Sequence, residues 1–337
     1  MLGCEMVSKA WRPLLAAAAL AFGLAPAARA QDKPLDKVTF TTTWFAQAEH
    51  GGYYQAVAEG IYKKHGLDVT IKMGGPQINI IQIMAAGQAD CIMGATDTQM
   101  MVARGNGLPI VNVAAIFQKD PQVLIAHEDV KSYEDMKGKT ILIAPTAMRG
   151  MWSWLKGKYG YTDAQVRPYT YNIQPFVADK NIVQMGFLSS EPFAIQKAGV
   201  KANSFLLADQ GYPPYANLIS CMDKTVKERE KTVAAFVKAT AEGYKSYLAD
   251  PAPANALIKK DNPNMTDDQL NYGIGKLKEM GIITSGDAAK QGIGIITRER
   301  LLKTHAFLVE NEMIDPAKVN IDQAYRFDLA RDAKVLP

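Results

Sequence analysis

At 337 residues, 48% of them hydrophobic and 21% charged, the chain has the composition of an ordered globular protein with room for two domains. Its 38 basic side chains against 34 acidic ones leave a formal charge of only +4. No block of like charge stands out, so a nucleic-acid or polybasic membrane role has no electrostatic footprint. Residues 1–30 read as an export leader. Lys9 and Arg12 supply a basic start, Leu14 to Leu24 an apolar stretch, and Ala28-Arg29-Ala30 a small-residue cleavage site before Gln31. The apolar stretch falls short of the roughly 20 residues that span a bilayer, so the expected product is a soluble protein cut after Ala30 and delivered to the periplasm. Strand patterns follow at 38–43, 67–73, 90–95 and 110–117, alternating with helical patterns at 49–65, 79–86 and 98–104. The alternation then repeats, with strands at 140–144, 167–171, 183–188 and 204–208 and helices at 148–159, 174–181 and 191–199. After Cys221 the pattern turns helical, over 225–249, 254–260, 266–280 and 298–311, with starts at Thr225, Thr266 and Thr297.

Strands alternating with helices through short loops predict mainly parallel sheets covered on both faces. Two passages look like crossings between such units: Gln118 to Val123, with Asp120-Pro121, and Gln210 to Asn217, with Pro213-Pro214. They predict a lobe made of residues 31–120 and 218–337, into which a second lobe of residues 121–217 is inserted. Beyond the leader the chain carries two cysteines, Cys91 and Cys221. Two thiols in an oxidising compartment can pair, but each sits in an apolar run, which reads as a buried free thiol. His50, His65, His127 and His305 are scattered and no cysteine lies near them at ligand spacing. No metal site and no cofactor is predicted.

Ligands of open α/β sheets sit outside the carboxyl ends of the strands, and two facing lobes bring those ends to one cleft. The candidate lining is then Trp44, His50, Tyr53, Thr96, Asp97 and Gln118 from the first lobe. Thr146, Glu191 and Tyr212 come from the second. Trp44 offers a flat apolar face to a planar ligand, or a lid over the local core. His50 can donate to a ligand, or be satisfied by backbone at a helix start. Of the adjacent pair Tyr53 and Tyr54, only one can face the cleft. Asp97 and Glu191 each begin a helix, where a carboxylate caps free N–H groups. In a cleft the same carboxylates repel a sulfonate or nitrate and suit a ligand with amino or ring N–H donors.

The stretch from Trp44 through His50-Gly51-Gly52-Tyr53-Tyr54 to Gly60, followed by Lys63-Lys64-His65-Gly66-Leu67-Asp68-Val69, resembles the opening of the periplasmic binding proteins related to thiamine-pyrimidine synthase. Those are kin of the sulfonate, taurine and nitrate receptors of ABC importers. Gly87-Gln88-Ala89-Asp90, Ala103 to Pro109, Met136 to Lys139 and Ser190-Glu191-Pro192 are similar to later landmarks of that family, in order. The resemblance runs from about Val38 to Cys221. It implies a type II periplasmic-binding fold, two α/β lobes with a ligand cleft and a C-terminal helical segment. It also implies a monomeric receptor that hands a small molecule, such as a thiamine pyrimidine precursor, to an importer permease. A receptor for an aliphatic sulfonate, taurine or nitrate-type anion is the alternative. Related fungal pyrimidine synthases raise an enzyme reading, but their cysteine-rich iron motif has no counterpart here. The G-x-S-x-G and H-E-x-x-H hydrolase signatures are absent too.

Overall fold

The computed structural model describes residues 1–2, 34–75 and 78–337. The expected leader therefore falls almost wholly outside the described residues. The first half builds strands β1 (Asp36–Thr41), β2 (Leu67–Lys72), β3 (Cys91–Thr96) and β4 (Ile110–Phe117). The next segment builds β5 (Gln122–His127), β6 (Thr140–Ile143), β7 (Val166–Pro168), β8 (Ile182–Phe187) and β9 (Ala202–Leu206), and the chain returns through β10 (Ala216–Met222). They form two five-stranded sheets, ordered β2-β1-β3-β10-β4 and β7-β6-β8-β5-β9. In each sheet β1, β2 and β3, or β6, β7 and β8, run parallel. The fourth position holds one antiparallel strand, β10 in the first and β5 in the second. This is the two-sheet α/β arrangement of the type II fold.

The two antiparallel strands are the ones that periodicity did not announce. Each follows a crossing and is pulled into the sheet it enters, so residues expected as connectors are structured and buried. All six residues of β5 are buried, as are the first six of β10. The helix expected over 49–65 is broken. A short 3₁₀ turn over Ala48–His50 leads into α1 (Gly51–Ala58), and Gly60, at φ +65°, interrupts it before Ile61–Lys64. The helix expected at 98–104 is α2 (Asp97–Gly105), and that at 191–199 is α3 (Glu191–Lys197). The tail supplies α4 (Glu230–Ala249), α5 (Asp267–Glu279) and α6 (Arg298–Glu310). Thr266 does cap α5, accepting from the Gln269 N–H. Thr297 instead gives its hydroxyl to Asp287, and Thr225 lies inside a short helix, Asp223–Glu228.

Cys91 and Cys221 are bonded, with Cα atoms 4.2 Å apart. The expectation of free thiols is thus corrected. They are direct partners on the antiparallel pair β3 and β10, a register that a residue-by-residue reading of apolar runs does not contain.

The helical tail packs tightly on the first sheet's helices. A Cβ on Gly51 would lie 2.1 Å from the Tyr247 ring, one on Gly52 2.1 Å from the Tyr244 ring, and one on Gly243 2.3 Å from the Gly52 carbonyl oxygen. Glycine is required at all three places because α1 and α4 touch there, backbone to ring at Gly51 and Gly52 and backbone to backbone at Gly243. Under this contact Phe40 packs on Tyr53 at 4.5 Å and on Phe236 at 5.2 Å, and Tyr62 stacks on Phe236. The tail also reaches the second sheet. A Cβ on Gly273 of α5 would meet Ala48 at 2.8 Å and the Ser189 carbonyl at 3.4 Å, and Phe193 packs on Tyr272 at 5.3 Å.

Candidate functional site

The first wall begins where β1 ends. Thr42 accepts from the Gly74 N–H at 3.1 Å and donates to the Trp44 carbonyl at 2.9 Å, a pair of bonds that fixes the loop carrying a half-buried Trp44. Three residues after Ala46 the chain presents Glu49 and His50, 3% and 1% exposed. The main chain of Glu49 is anchored from the core. Its carbonyl accepts from Tyr244 Oη at 2.7 Å and from Asn217 Nδ2 at 3.1 Å, while Tyr53 donates to Asn217 Oδ1 at 2.7 Å. Tyr53 is therefore a core residue that positions the wall through Asn217. Tyr54, also buried, donates to Asp261. His50 Nδ1 has no hydrogen-bond partner, and burial lowers the ring's pKa to about 3, so it stays neutral at physiological pH.

The second wall is formed beyond β7 and β8. Glu191 accepts from the Phe187 N–H at 2.8 Å and from Tyr169 Oη at 3.1 Å. Tyr171, held at φ +61°, packs on Tyr169 at 5.4 Å and on Trp44 of the other wall at 5.0 Å. Ser189 donates to Glu49 Oε1. A Cβ on Gly150 would lie 3.1 Å from Tyr212 Oη and 3.8 Å from Thr98 Cγ2. The strand ends of the two sheets thus meet through an aromatic contact, a hydrogen bond and a close approach of backbone. Burial raises the pKa of Glu49, with Glu191 adding repulsion and Ser189 opposing. Burial likewise raises Glu191, against the Phe187 N–H. Among the described residues neither carboxylate has an ion-pair partner.

Of the expected lining residues, the structure brings Trp44, His50 and Glu191 to this junction and adds Glu49, Tyr169, Tyr171 and Ser189. Thr96 uses its hydroxyl to cap α2 through the Gln99 N–H. Asp97 is fully buried, and neither carboxylate oxygen has a hydrogen-bond partner. Burial pushes its pKa up to about 7, with Arg300 of α6 pulling it back. Gln118 gives its amide to the Ala115 and Ile295 carbonyls, both at 3.0 Å, and so ties β4 to the tail. Thr146 lies in the turn Pro145–Ala147 after β6. Tyr212 is buried against Trp154 at 5.1 Å and Phe307 at 6.3 Å. A signal for Tyr169 and Tyr171 did exist, as aromatic residues two apart at an expected strand end. Ser189 and Glu49 lie 140 residues apart and carry no local sign of their pairing.

The chain and its fold have known relatives. The chain is 26% identical over 311 residues to the riboflavin-binding protein RibY of Chloroflexus aurantiacus, covering 89% of this chain and 88% of that protein. It is 24% identical to the formylaminopyrimidine-binding protein of Halalkalibacterium halodurans over 67% of this chain and 71% of that one. A 4-amino-5-hydroxymethyl-2-methylpyrimidine phosphate synthase of Saccharomyces cerevisiae matches at 22%, over 70% of this chain and 74% of the enzyme. In three dimensions the periplasmic aliphatic sulphonate-binding protein SsuA of Escherichia coli superposes with a TM-score of 0.66 at 13% identity, covering 86% of this chain and 91% of that one. Residues 47–254, more than half of the sequence, match the family described as NMT1/THI5 like, and the chain belongs to that family.

Proposed function

We propose that this protein is the solute-binding component of an ABC importer, exported to the periplasm, that closes two lobes on a small planar nitrogen heterocycle and delivers it to a membrane permease. The observation that carries this reading is the line Trp44–Tyr171–Tyr169–Glu191, which runs from the strand ends of one sheet to those of the other. A run of aromatic rings ending on a carboxylate suits a flat ligand with N–H donors. The printed specificities of two relatives, riboflavin and formylaminopyrimidine, are of that kind. An aliphatic sulfonate or nitrate would instead add a negative charge beside Glu49 and Glu191, which have no ion-pair partner among the described residues. In this reading the lobes are residues 31–120 with 218–337, and residues 121–217. They hinge at the connections between β4 and β5 and between β9 and β10, and the receptor acts as a monomer without turnover.

Calorimetry against a panel of aminopyrimidines, flavins, sulfonates and nitrate tests the proposal. One equivalent of a heterocycle should bind without being consumed, and small-angle scattering should show a smaller radius of gyration with ligand bound than without it. Saturable binding of a sulfonate alone would overturn it. Replacing Trp44 by Ala should weaken heterocycle binding by about 1–3 kcal/mol while the melting temperature falls little. An unfolded variant with unchanged affinity per folded molecule would make Trp44 a core residue instead.

A further inference from the structure

We infer that Glu49 makes this a receptor for an organic cation: the ligand enters carrying a positive charge, whose N–H groups take the place of the Ser189 hydroxyl on the Glu49 carboxylate. The inference rests on the receptor reading above and adds the ligand's charge to it.

Four observations lead there. Glu49 stands on one wall and Glu191 on the other, Ser189 reaches across to Glu49, and Glu191 adds repulsion at Glu49. The donors they have are neutral: a serine hydroxyl for Glu49, and a tyrosine hydroxyl and one main-chain N–H for Glu191. A buried carboxylate pair without a cation is costly, and a charged donor relieves it far more than a neutral one. Beside them His50 adds a fully buried ring nitrogen, Nδ1, with no partner, and the ring is neutral, so it offers no competing positive charge. Finally, the exposed edge of the junction is aromatic. The half-buried Trp44 and the exposed Tyr171 present electron-rich faces of the kind on which organic cations sit, with the buried Tyr169 behind them.

The main chain of Glu49 is also held firmly in place. Tyr244 and Asn217 hold its carbonyl from behind, and Gly52 leaves no space for Tyr244 to retreat into. Glu49 is 3% exposed, and a carboxylate buried to that degree needs its counter-charge inside the site. Ser189, at the approach to α3, is the group that can leave when the ligand arrives.

The test uses two probes that share one ring. 4-Amino-5-aminomethyl-2-methylpyrimidine carries a protonated arm at neutral pH, and 4-amino-5-hydroxymethyl-2-methylpyrimidine a neutral one. Calorimetry on the exported protein should show the charged probe binding about tenfold or more tightly. Glu49→Gln should erase most of that ratio, weakening the charged probe more than the neutral one, and Ser189→Ala should strengthen the charged probe rather than weaken it. The wild-type ratio is informative even if a variant fails to fold. Equal affinities for the two probes would overturn the cation and leave the heterocycle receptor standing. Binding of ethanesulfonate alone, or of no member of the panel, would overturn both.

Discussion

Replacing Asp97 by Asn should give a protein that is more stable than the wild type at pH 8 and no more stable at pH 4. The Asp97 carboxyl is fully buried at the start of α2, without a hydrogen-bond partner, and its pKa in the folded protein is pushed up to about 7 from an ordinary 3.8. A group raised in this way supports the fold while it holds its proton, and that support is lost as pH rises from about 4 through 7. Asparagine keeps the neutral form at every pH. The gain at pH 8 should be on the order of 2–4 kcal/mol, shrinking to nothing on acidification, as read by urea denaturation across that range. Asp120, in the first crossing, shifts in the same direction to about 6, although it accepts from Gln122 through both main chain and side chain. Arg300 is the cation facing both, but its guanidinium also holds the Pro213 and Pro214 carbonyls and lies 4.0 Å over the Tyr215 ring. If Asp97→Asn is the weaker protein at pH 8, Arg300 pairs with Asp97 strongly enough to outweigh burial.

Breaking the Cys91–Cys221 bond should cost about 3–5 kcal/mol of unfolding free energy, because it closes a loop between residues 130 apart in sequence. The double serine variant, or the wild type in reductant, should unfold at a clearly lower denaturant concentration. Coincident curves would mean that β3 and β10 are held together by their ladder and apolar contacts alone, and that the bond adds nothing to them. Both sulfurs lie in a buried strand pair, so reduction of the native protein should be slow and should speed up as denaturant opens the sheet.

What could be read from residues was what is local. Alternating apolar runs marked the four parallel strands on each side, and the helix-start signal at Thr266 corresponds to a real cap. β5 and β10 escaped because the prolines of the crossings pointed to connectors, while the buried antiparallel pairing is decided by strands far away in sequence. Cys91 and Cys221 show the same limit. Their surroundings are as apolar as expected, and only the register of β10 on β3 makes them neighbours. Trp44, His50 and Glu191 stand at the junction as expected in position, because strand ends and helix starts fix where such residues go. Asp97 sits at an equivalent helix start, yet its carboxylate lies in the field of Arg300, about 200 residues later, on a helix no local signal connects to it. Glu49 lay inside the quoted run and gained its significance only when Ser189 met it from the other wall.

The bond between β3 and β10 also decides what a protease can do to this molecule. Everything from β4 to β9, the whole of the second sheet included, lies between its two ends. One cut in that stretch, for instance after the exposed Lys180, would open the chain without releasing either part. The two halves would run as a single band on a gel until a reductant is added, and then as two. A nicked chain would keep its strands in register and both walls of the junction on one covalent body, so a cut in the second sheet would not by itself scatter Trp44, Glu49, Ser189 and Glu191.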